Sequence, residues 1–379
     1  MKVTFEKTEL LNAITPALGC VAGKNTYASL EGIDLNCRDG KCTITSYDLE
    51  KGYRTEITCE IEEEGDYIIS AQKLIQIVRA MPSSFITIEV NSKNVVRIYS
   101  GKSEFELHAI PGEDFPSLPE LNGQEGFTIK QNNLKRMLTM IQFAIAQNSM
   151  RPELNGAYIK IEDDTITAVT CDGSRLALIE QKGEMTDIKV EDDKIEFILP
   201  GKTLTEVIKL ISDKDENMVI KLARKHVMFF IDNTVIFSRL IENEYIDYER
   251  FIPKSSKIFV TIDREMLLSS VERALLVTED KSMGQARSKL KCSFKGNILT
   301  VSSKSVSNKI TDEIYMKKEG EDIEIGFNCR FMADALHALY FEELKLSMTS
   351  PLMSMLIEPV HENENERYVF LILPVKLND

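Results

Sequence analysis

A chain of 379 residues, 43% hydrophobic and 28% charged, has the make-up of a soluble globular protein and room for two or three domains of roughly 100–200 residues. No apolar run approaches the roughly 20 residues that span a bilayer. The opening Met1-Lys2-Val3-Thr4-Phe5-Glu6 lacks a signal peptide's apolar stretch, so a cytoplasmic protein without membrane contact is expected. The net charge of −14 excludes a uniformly basic nucleic-acid binder. It does not exclude one basic surface, because fields between exposed charges fade over about 8 Å at physiological salt.

In chain order, the first predicted element is an amphipathic helix starting near Thr8, with Leu10, Leu11, Ile14 and Leu18 on one side. A strand follows around residues 42–45. Residues 67–78 then read as a short strand, a small or capping residue (Ser70) and a second helix carrying Lys73. Period-two alternation over 85–90 and 95–99 predicts half-buried antiparallel strands. Residues 111–119 read as a loop.

The same order then returns. A helix begins near Asn132 (Leu134, Met137, Leu138, Ile141), and a strand follows at 165–169. Residues 197–208 form the strand-to-helix segment with Lys202, and strands lie near 219–222 and 227–230. Residues 242–253 are loop-like. The third pass has a helix near Asp263 (Met266, Leu267, Val271, Leu275), a strand at 298–302, the segment 325–336 with Arg330, and strands at 344–348 and 353–357. Thr8, Asn132 and Asp263 are the expected N-caps of the three first helices. Equivalent segments stand about 130 residues apart, the signature of a tandem repeat. The expected fold is α+β: three copies of a two-helix, antiparallel-sheet domain, at residues 1–121, 126–253 and 254–379.

Helical spacing turns the apolar positions toward the sheets and leaves the cations outside. Lys73, Arg79, Lys202, Lys209 and Arg330 lie on the second helices, and Lys7, Lys135, Arg136, Arg264 and Arg273 on the first. If all six helices share one side, they make a local basic lining inside an acidic shell. Such a surface holds phosphates without reading bases.

An enzyme is the competing class. Cys171-Asp172 is the nearest thing to an activated nucleophile, but none of the four histidines, His108, His226, His337 and His361, stands in a motif with it. No GxSxG, HExxH, P-loop or dinucleotide-binding glycine motif appears. Paired acids such as Asp163-Asp164 and Asp192-Asp193 read as solvated turns. The seven cysteines are scattered with no CxxC pair, so neither a zinc site nor a disulfide framework is expected, and a reducing compartment is. No metal, no cofactor and no catalysis are expected.

Several motifs in register resemble one family. They are Ser46-Tyr47-Asp48-Leu49-Glu50, Phe115-Pro116-Ser117-Leu118-Pro119, Arg151-Pro152-Glu153-Leu154-Asn155-Gly156, Cys171-Asp172-Gly173-Ser174-Arg175-Leu176-Ala177, Ile325-Gly326-Phe327-Asn328 and Leu373-Pro374-Val375-Lys376-Leu377. With the opening strand and helix they are similar, over essentially the whole chain, to the sliding clamps of the bacterial DNA polymerase III β-subunit family. The resemblance implies an arc-shaped protomer that closes into a ring as a head-to-tail homodimer around duplex DNA, conferring processivity without sequence specificity. Phe105 and Leu107 of one subunit would meet Leu275 and Leu276 of the other.

The resemblance further implies DNA contacts at Lys24, Asn148 and Arg151, with Lys73, Arg136 and Lys202 added from the helices. It also implies a pocket for peptides of the polymerase III catalytic subunit, the clamp loader, other clamp-binding polymerases and repair proteins. Its wall would comprise Leu154, Cys171, Gly173, Ser174, Arg175, Leu176, Ile246, Arg250, Phe251, Leu352 and Ser354, completed by Pro374, Val375 and Leu377. Departures from the family pattern fall at Thr26-Tyr27-Ala28-Ser29-Leu30 and at Tyr245-Ile246-Asp247-Tyr248, both lacking a proline, and at Cys171 and Ser174. The alternative readings are a repeat-built peptide-binding scaffold and a specialised second clamp.

Overall fold

The computed structural model describes all residues except 24–25, 120–124, 190–193, 279–288, 306–307, 361–362 and 378–379. Six α-helices form among the described residues: α1 (Lys7–Ala17), α2 (Ala71–Ala80), α3 (Gln131–Ile141), α4 (Gly201–Leu210), α5 (Arg264–Thr278) and α6 (Cys329–Ala338). No helix is long and apolar enough to cross a membrane among the described residues. Five of these helices follow directly on a strand, as at Lys2–Glu6 into α1, and one residue, Asn328, separates Ile323–Phe327 from α6.

That direct hand-over moves two of the expected caps. Glu6, still extended at φ −70°, accepts the Glu9 amide with its own carboxylate, so Thr8 lies inside the first turn of α1. Asn132 likewise falls inside α3, which starts at Gln131 straight after strand Glu125–Lys130. Asp263 does cap, accepting the Met266 amide at 2.7 Å, and Asn328 accepts from Arg330 and Phe331 at the start of α6. The apolar stripes run as expected with two departures: Leu18 lies exposed just past the end of α1, and Met266 is exposed while Leu267, Leu268, Val271 and Ala274 form the buried face of α5.

The chain packs as two compact units. The first takes Met1–Asn132, Thr186–Glu191 and Lys202–Leu240. It holds a five-stranded sheet ending in edge strand Ser103–His108, and a ten-stranded sheet. The ten-stranded sheet is continuous because Lys51–Thr58 of the first repeat pairs with Thr234–Arg239 of the second, Thr55 opposite Thr234 with their hydroxyls 2.8 Å apart. The expected loop at 111–119 is anchored over this seam, with Phe115 and Leu118 packed on buried Tyr47, Met228 and Phe237.

The second unit takes Asn133–Met185, Asp192–Gly201 and Ile241–Asp379. Here Arg175–Lys182 of the second repeat pairs antiparallel with Glu366–Ile372 of the third, from Arg175 opposite Ile372 to Gln181 opposite Glu366. A nine-stranded sheet results, beside a four-stranded one whose edge is Lys309–Tyr315. Gly326 lies where the C-terminal segment crosses: a Cβ there would sit 2.6 Å from the Val375 carbonyl and 2.8 Å from the Leu377 side chain.

The repeat is visible atom by atom. Ser46, Thr170 and Ser303 each hold the sixth place of a seven-residue strand and are buried. The Ser46 hydroxyl donates to the Ala17 carbonyl at the end of α1, and Thr170 to the Ile141 carbonyl at the end of α3. Ser303 has no such partner among the described residues. The turn that follows also recurs: the amides of Asp48, Asp172 and Ser305 donate to the carbonyls of Lys51, Arg175 and Asn308. In the first two copies the aspartate accepts two amides on one oxygen and the cation three residues on with the other. The residue after the aspartate is left-handed in both, Leu49 at φ 75° and Gly173 at φ 88°; glycine holds that conformation without cost and leucine does not.

One polar pair is buried in the first unit. Asp34 lies 9% exposed against Asp66, and burial, with Asp66 beside it, pushes its carboxyl up to about 8. The folded chain therefore keeps a proton that the unfolded chain gives up. The stability this group supplies is complete below about pH 4 and drains away as pH rises through about 8. Asp34→Asn should match the parent near pH 4 and become the more stable protein by pH 8.5. The gap should widen by at most ~1.4 kcal/mol per pH unit. Urea unfolding at both pH values measures it; equal gaps would mean that Asp34 does not hold the proton.

Candidate functional site

The candidate site grows out of the seam between Arg175–Lys182 and Glu366–Ile372. Leu154, Cys171 and Leu176 meet Val169, Leu178, Leu356, Val369 and Leu371 in one buried cluster, with Ile246, Tyr245 and Ile252 packed against it. Leu154 is placed by a single 3-10 turn, Pro152–Asn155, whose carbonyl end receives the Ala146 amide. Tyr245 stacks on Tyr158, ring centroids 5.0 Å apart and 9° from parallel, and donates to the Val169 carbonyl. Stacking fixes the 242–253 segment against the sheet without the proline that the family pattern carries there.

Cys171 is buried, and burial pushes its thiol up from the ordinary value. A protonated, enclosed sulfur is no nucleophile; here it is part of the apolar floor and accepts the Gly173 amide at 3.3 Å.

Arg175 is not the surface cation that its sequence context suggests. Its side chain is 11% exposed. Nε donates to Asp172 at 2.9 Å and Nη1 to Asp334 of α6 at 2.7 Å. Its guanidinium lies 4.3 Å from the Phe331 ring centroid and 5.2 Å from that of Phe143. Two carboxylates and two ring faces account for a flat, delocalised cation better than for an ammonium. The aspartate three residues upstream, repeated as Asp48 before Lys51, is no signal for this, because Asp247 stands at the same spacing before Arg250. Asp334, Phe143 and Phe331 carried none, because they come from distant elements. Arg250 is the opposite case, 82% exposed and, among the described residues, paired only with Asp247 at 2.6 Å.

Around the cluster, several large apolar groups face solvent. Phe251 is 57% exposed at the end of turn Tyr248–Phe251. Leu352 is 76% exposed in the turn that leads into Met355–Pro359, while Ser354 beside it is buried. The Ser174 carbonyl accepts the Leu373 amide at 2.8 Å and so draws the C-terminal segment along the site. Pro374 is half-buried, and Val375 and Leu377 turn away to pack at Gly326. The pocket residues inferred from the resemblance thus divide. Leu154, Cys171, Leu176 and Ile246 form one floor, Gly173, Ser174 and Arg175 one turn, and Phe251 and Leu352 exposed apolar tips.

The residues expected at DNA divide as well. Lys24 lies outside the described residues, as do Asp192, Asp193 and His361. Asn148 is exposed with φ 55°, and Arg151 projects from the same loop, paired with Glu153 at 3.0 Å. Asn155 pins this loop, bonding both the amide and the carbonyl of Ser149. Lys73 and Lys202 are exposed on α2 and α4 and have no ion-pair partner among the described residues. Arg136 is half-buried and already committed to Glu366 at 2.9 Å and to the Tyr340 hydroxyl at 2.9 Å. Of the residues expected at a subunit contact, Phe105 is exposed on the edge strand with Leu107 half-buried. Leu276 is 78% exposed on α5, and Leu275 is half-buried.

Three family models match in tandem, described as the N-terminal, central and C-terminal domains of the DNA polymerase III beta subunit, over residues 1–119, 128–247 and 249–376. The chain is 28% identical to the beta sliding clamp of Bacillus subtilis (99% of this chain, 100% of that protein) and 26% identical to that of Pseudomonas aeruginosa (100% of both). Among solved structures, the Bacillus subtilis DNA polymerase sliding clamp superposes with a TM-score of 0.91 at 29% identity. A DNA polymerase III beta subunit homologue from Eubacterium rectale superposes with 0.90 at 28%. Each covers 100% of both chains.

Arg175→Ala should cost about 3 kcal/mol in thermal or urea unfolding, since it strands two partly buried carboxylates. Arg250→Ala should leave the melting temperature unchanged. Equal stability of the two variants would show that Arg175 is not a strut.

Proposed function

Because the chain belongs to the DNA polymerase III beta subunit family, we infer its working from that premise: it is a non-catalytic DNA sliding clamp that tethers a polymerase to duplex DNA. The observation that carries this is the full tandem set of three family domains along one chain. Repeat architecture, and no reacting group, is what a topological tether needs.

In this reading two copies close head to tail, and the hold on DNA is the closed ring. Edge strand Ser103–His108 with Phe105 and Leu107 would lie against the partner's edge strand Lys309–Tyr315, near the apolar side chains of α5, Leu275 and Leu276. Open sheet edges bearing exposed apolar groups favour this, since an unpaired edge is a template for another strand. Lys73, Lys202, Asn148 and Arg151, with Lys24, would touch phosphates. A few weak cations in an acidic protein give sequence-independent contact that does not stall movement. Arg136 contributes least, because Glu366 already holds it.

The apolar floor of Leu154, Cys171, Leu176 and Ile246 would receive a short peptide from the polymerase III catalytic subunit, the clamp loader, or other polymerases and repair proteins. Phe251 and Leu352 would close over its anchoring side chains. A rigid floor with exposed apolar tips is suited to a few-residue anchor.

Loaded onto a nicked plasmid by a clamp loader with ATP, the protein should co-elute with the circle and leave at least tenfold faster once the circle is cut. Equal retention on circular and linear DNA would end the topological reading. Phe251→Ala and Leu352→Ala should each weaken binding of a polymerase-derived peptide five- to tenfold, about 1–1.4 kcal/mol. Their melting temperatures should not change. Unaltered affinity by titration calorimetry would move the peptide elsewhere.

A further inference from the structure

Two open sheet edges, one in each unit, carry opposite charge on matching faces. In edge strand Ser103–His108, Phe105 and Leu107 lie opposite buried Ile98 and Val96, which puts them on the core side. Glu104 and Glu106 alternate with them onto the outer face, and both are exposed. The cation on that face is Arg97, directly opposite Glu106 on the neighbouring strand. It pairs with Glu104 at 2.7 Å and with Glu89 at 3.5 Å. One guanidinium among three carboxylates leaves this edge negative.

The other edge, strand Lys309–Tyr315, is built the same way. Asp312 and Ile314 lie opposite buried Val301 and Leu299 on the core side, so Lys309, Thr311, Glu313 and Tyr315 make the outer face. Lys309 stands directly opposite Lys304; both are exposed, and neither has an ion-pair partner among the described residues. Like charges set opposite each other across a strand pair are destabilising. The strain is relieved when carboxylates come alongside.

We propose that these edges form a charge-coded contact between two copies of this chain, with Glu104 and Glu106 of one copy facing Lys304 and Lys309 of the other. This rests on the head-to-tail ring proposed for the chain and adds what fixes its direction and register. Antiparallel pairing runs Lys102, Glu104 and Glu106 along Glu313, Thr311 and Lys309, with opposite signs at both ends. Parallel pairing would set Lys102 against Lys309 and Glu106 against Glu313. A slip by one residue is excluded, since it would turn Phe105 and Leu107 to the outer face. In register, those two side chains meet the side of the partner strand that carries Ile310 and Ile314, where Arg273 of α5 holds Asp312. The apolar side supplies adhesion. The ionic side selects a second copy of this chain and makes the contact sensitive to salt, because exposed ion pairs are weak singly and are screened.

The test uses the full chain in two reversed forms, one carrying Glu104→Lys and Glu106→Lys, the other Lys304→Glu and Lys309→Glu. Sedimentation velocity measures the dimer. The parent should dimerise about tenfold more weakly at about 0.5 M than at about 0.05 M salt. Each reversed form alone should dimerise at least about tenfold more weakly than the parent at low salt, since both junctions of its ring then bring like charges together. An equal mixture should recover dimers with one copy of each, because both junctions are complementary again; recovery also shows that both forms are folded. Reversed forms that dimerise like the parent overturn the proposal and leave the ring reading in place. So does a mixture no tighter than either form when each keeps the parent's melting temperature. A parent that is monomeric at both salt concentrations overturns the ring reading and this inference with it. Should a double substitution unfold the chain, Glu106→Lys and Lys309→Glu singly decide in the same way.

Discussion

Backbone pairing between repeats is the constraint on which the rest depends. A sheet edge left open in one copy is closed by a strand of the next: Lys51–Thr58 by Thr234–Arg239, and Arg175–Lys182 by Glu366–Ile372. Each repeat alone would expose a row of amides and carbonyls. Joined, the copies share hydrogen bonds whose register allows little sliding, because a slip by one residue would turn every buried side chain outward. The candidate peptide site is a product of this junction. Its floor combines Leu176 and Leu178 from one strand with Val369 and Leu371 from its partner, all of them buried in one cluster.

The sequence made the architecture legible because the repeat is written in periodicity. Helix and strand order, the apolar stripes of α2, α4 and α6, and the cap at Asp263 follow from local spacing. What it hid depends on contacts between distant elements. Thr8 and Asn132 are reasonable caps until one sees that a strand runs straight into each helix and takes the cap position itself. Met266 fits the apolar stripe of α5 by composition, but its turn of the helix faces solvent. The segment 111–119 reads as a linker, yet Phe115 and Leu118 seal a seam whose other half lies more than 100 residues away.

The site was legible in part and for the same reason. Apolar residues in register with family motifs form one cluster, but nothing local distinguished the arginine that braces it from the arginine that does not. Arg175 and Arg250 look alike in a sequence; one is enclosed by Asp172, Asp334, Phe143 and Phe331, the other projects into water. The cysteines repeat the lesson. Cys37 and Cys42 have no motif spacing, and only hairpin register sets them opposite each other.

The enclosure of Arg175 has an electrostatic corollary. Its positive charge is spent internally on two carboxylates, one of which also faces Arg330, so in the proposed reading the floor would present an arriving segment with no free cation from Arg175. Discrimination among segments at the floor would then have to come from volume and apolar fit. Any preference for a negatively charged flank would have to arise at the periphery, where Arg250 stands in water with a single acid beside it. Affinity and charge selectivity would thus reside in different layers of one surface, and salt would tune the second while leaving the first untouched.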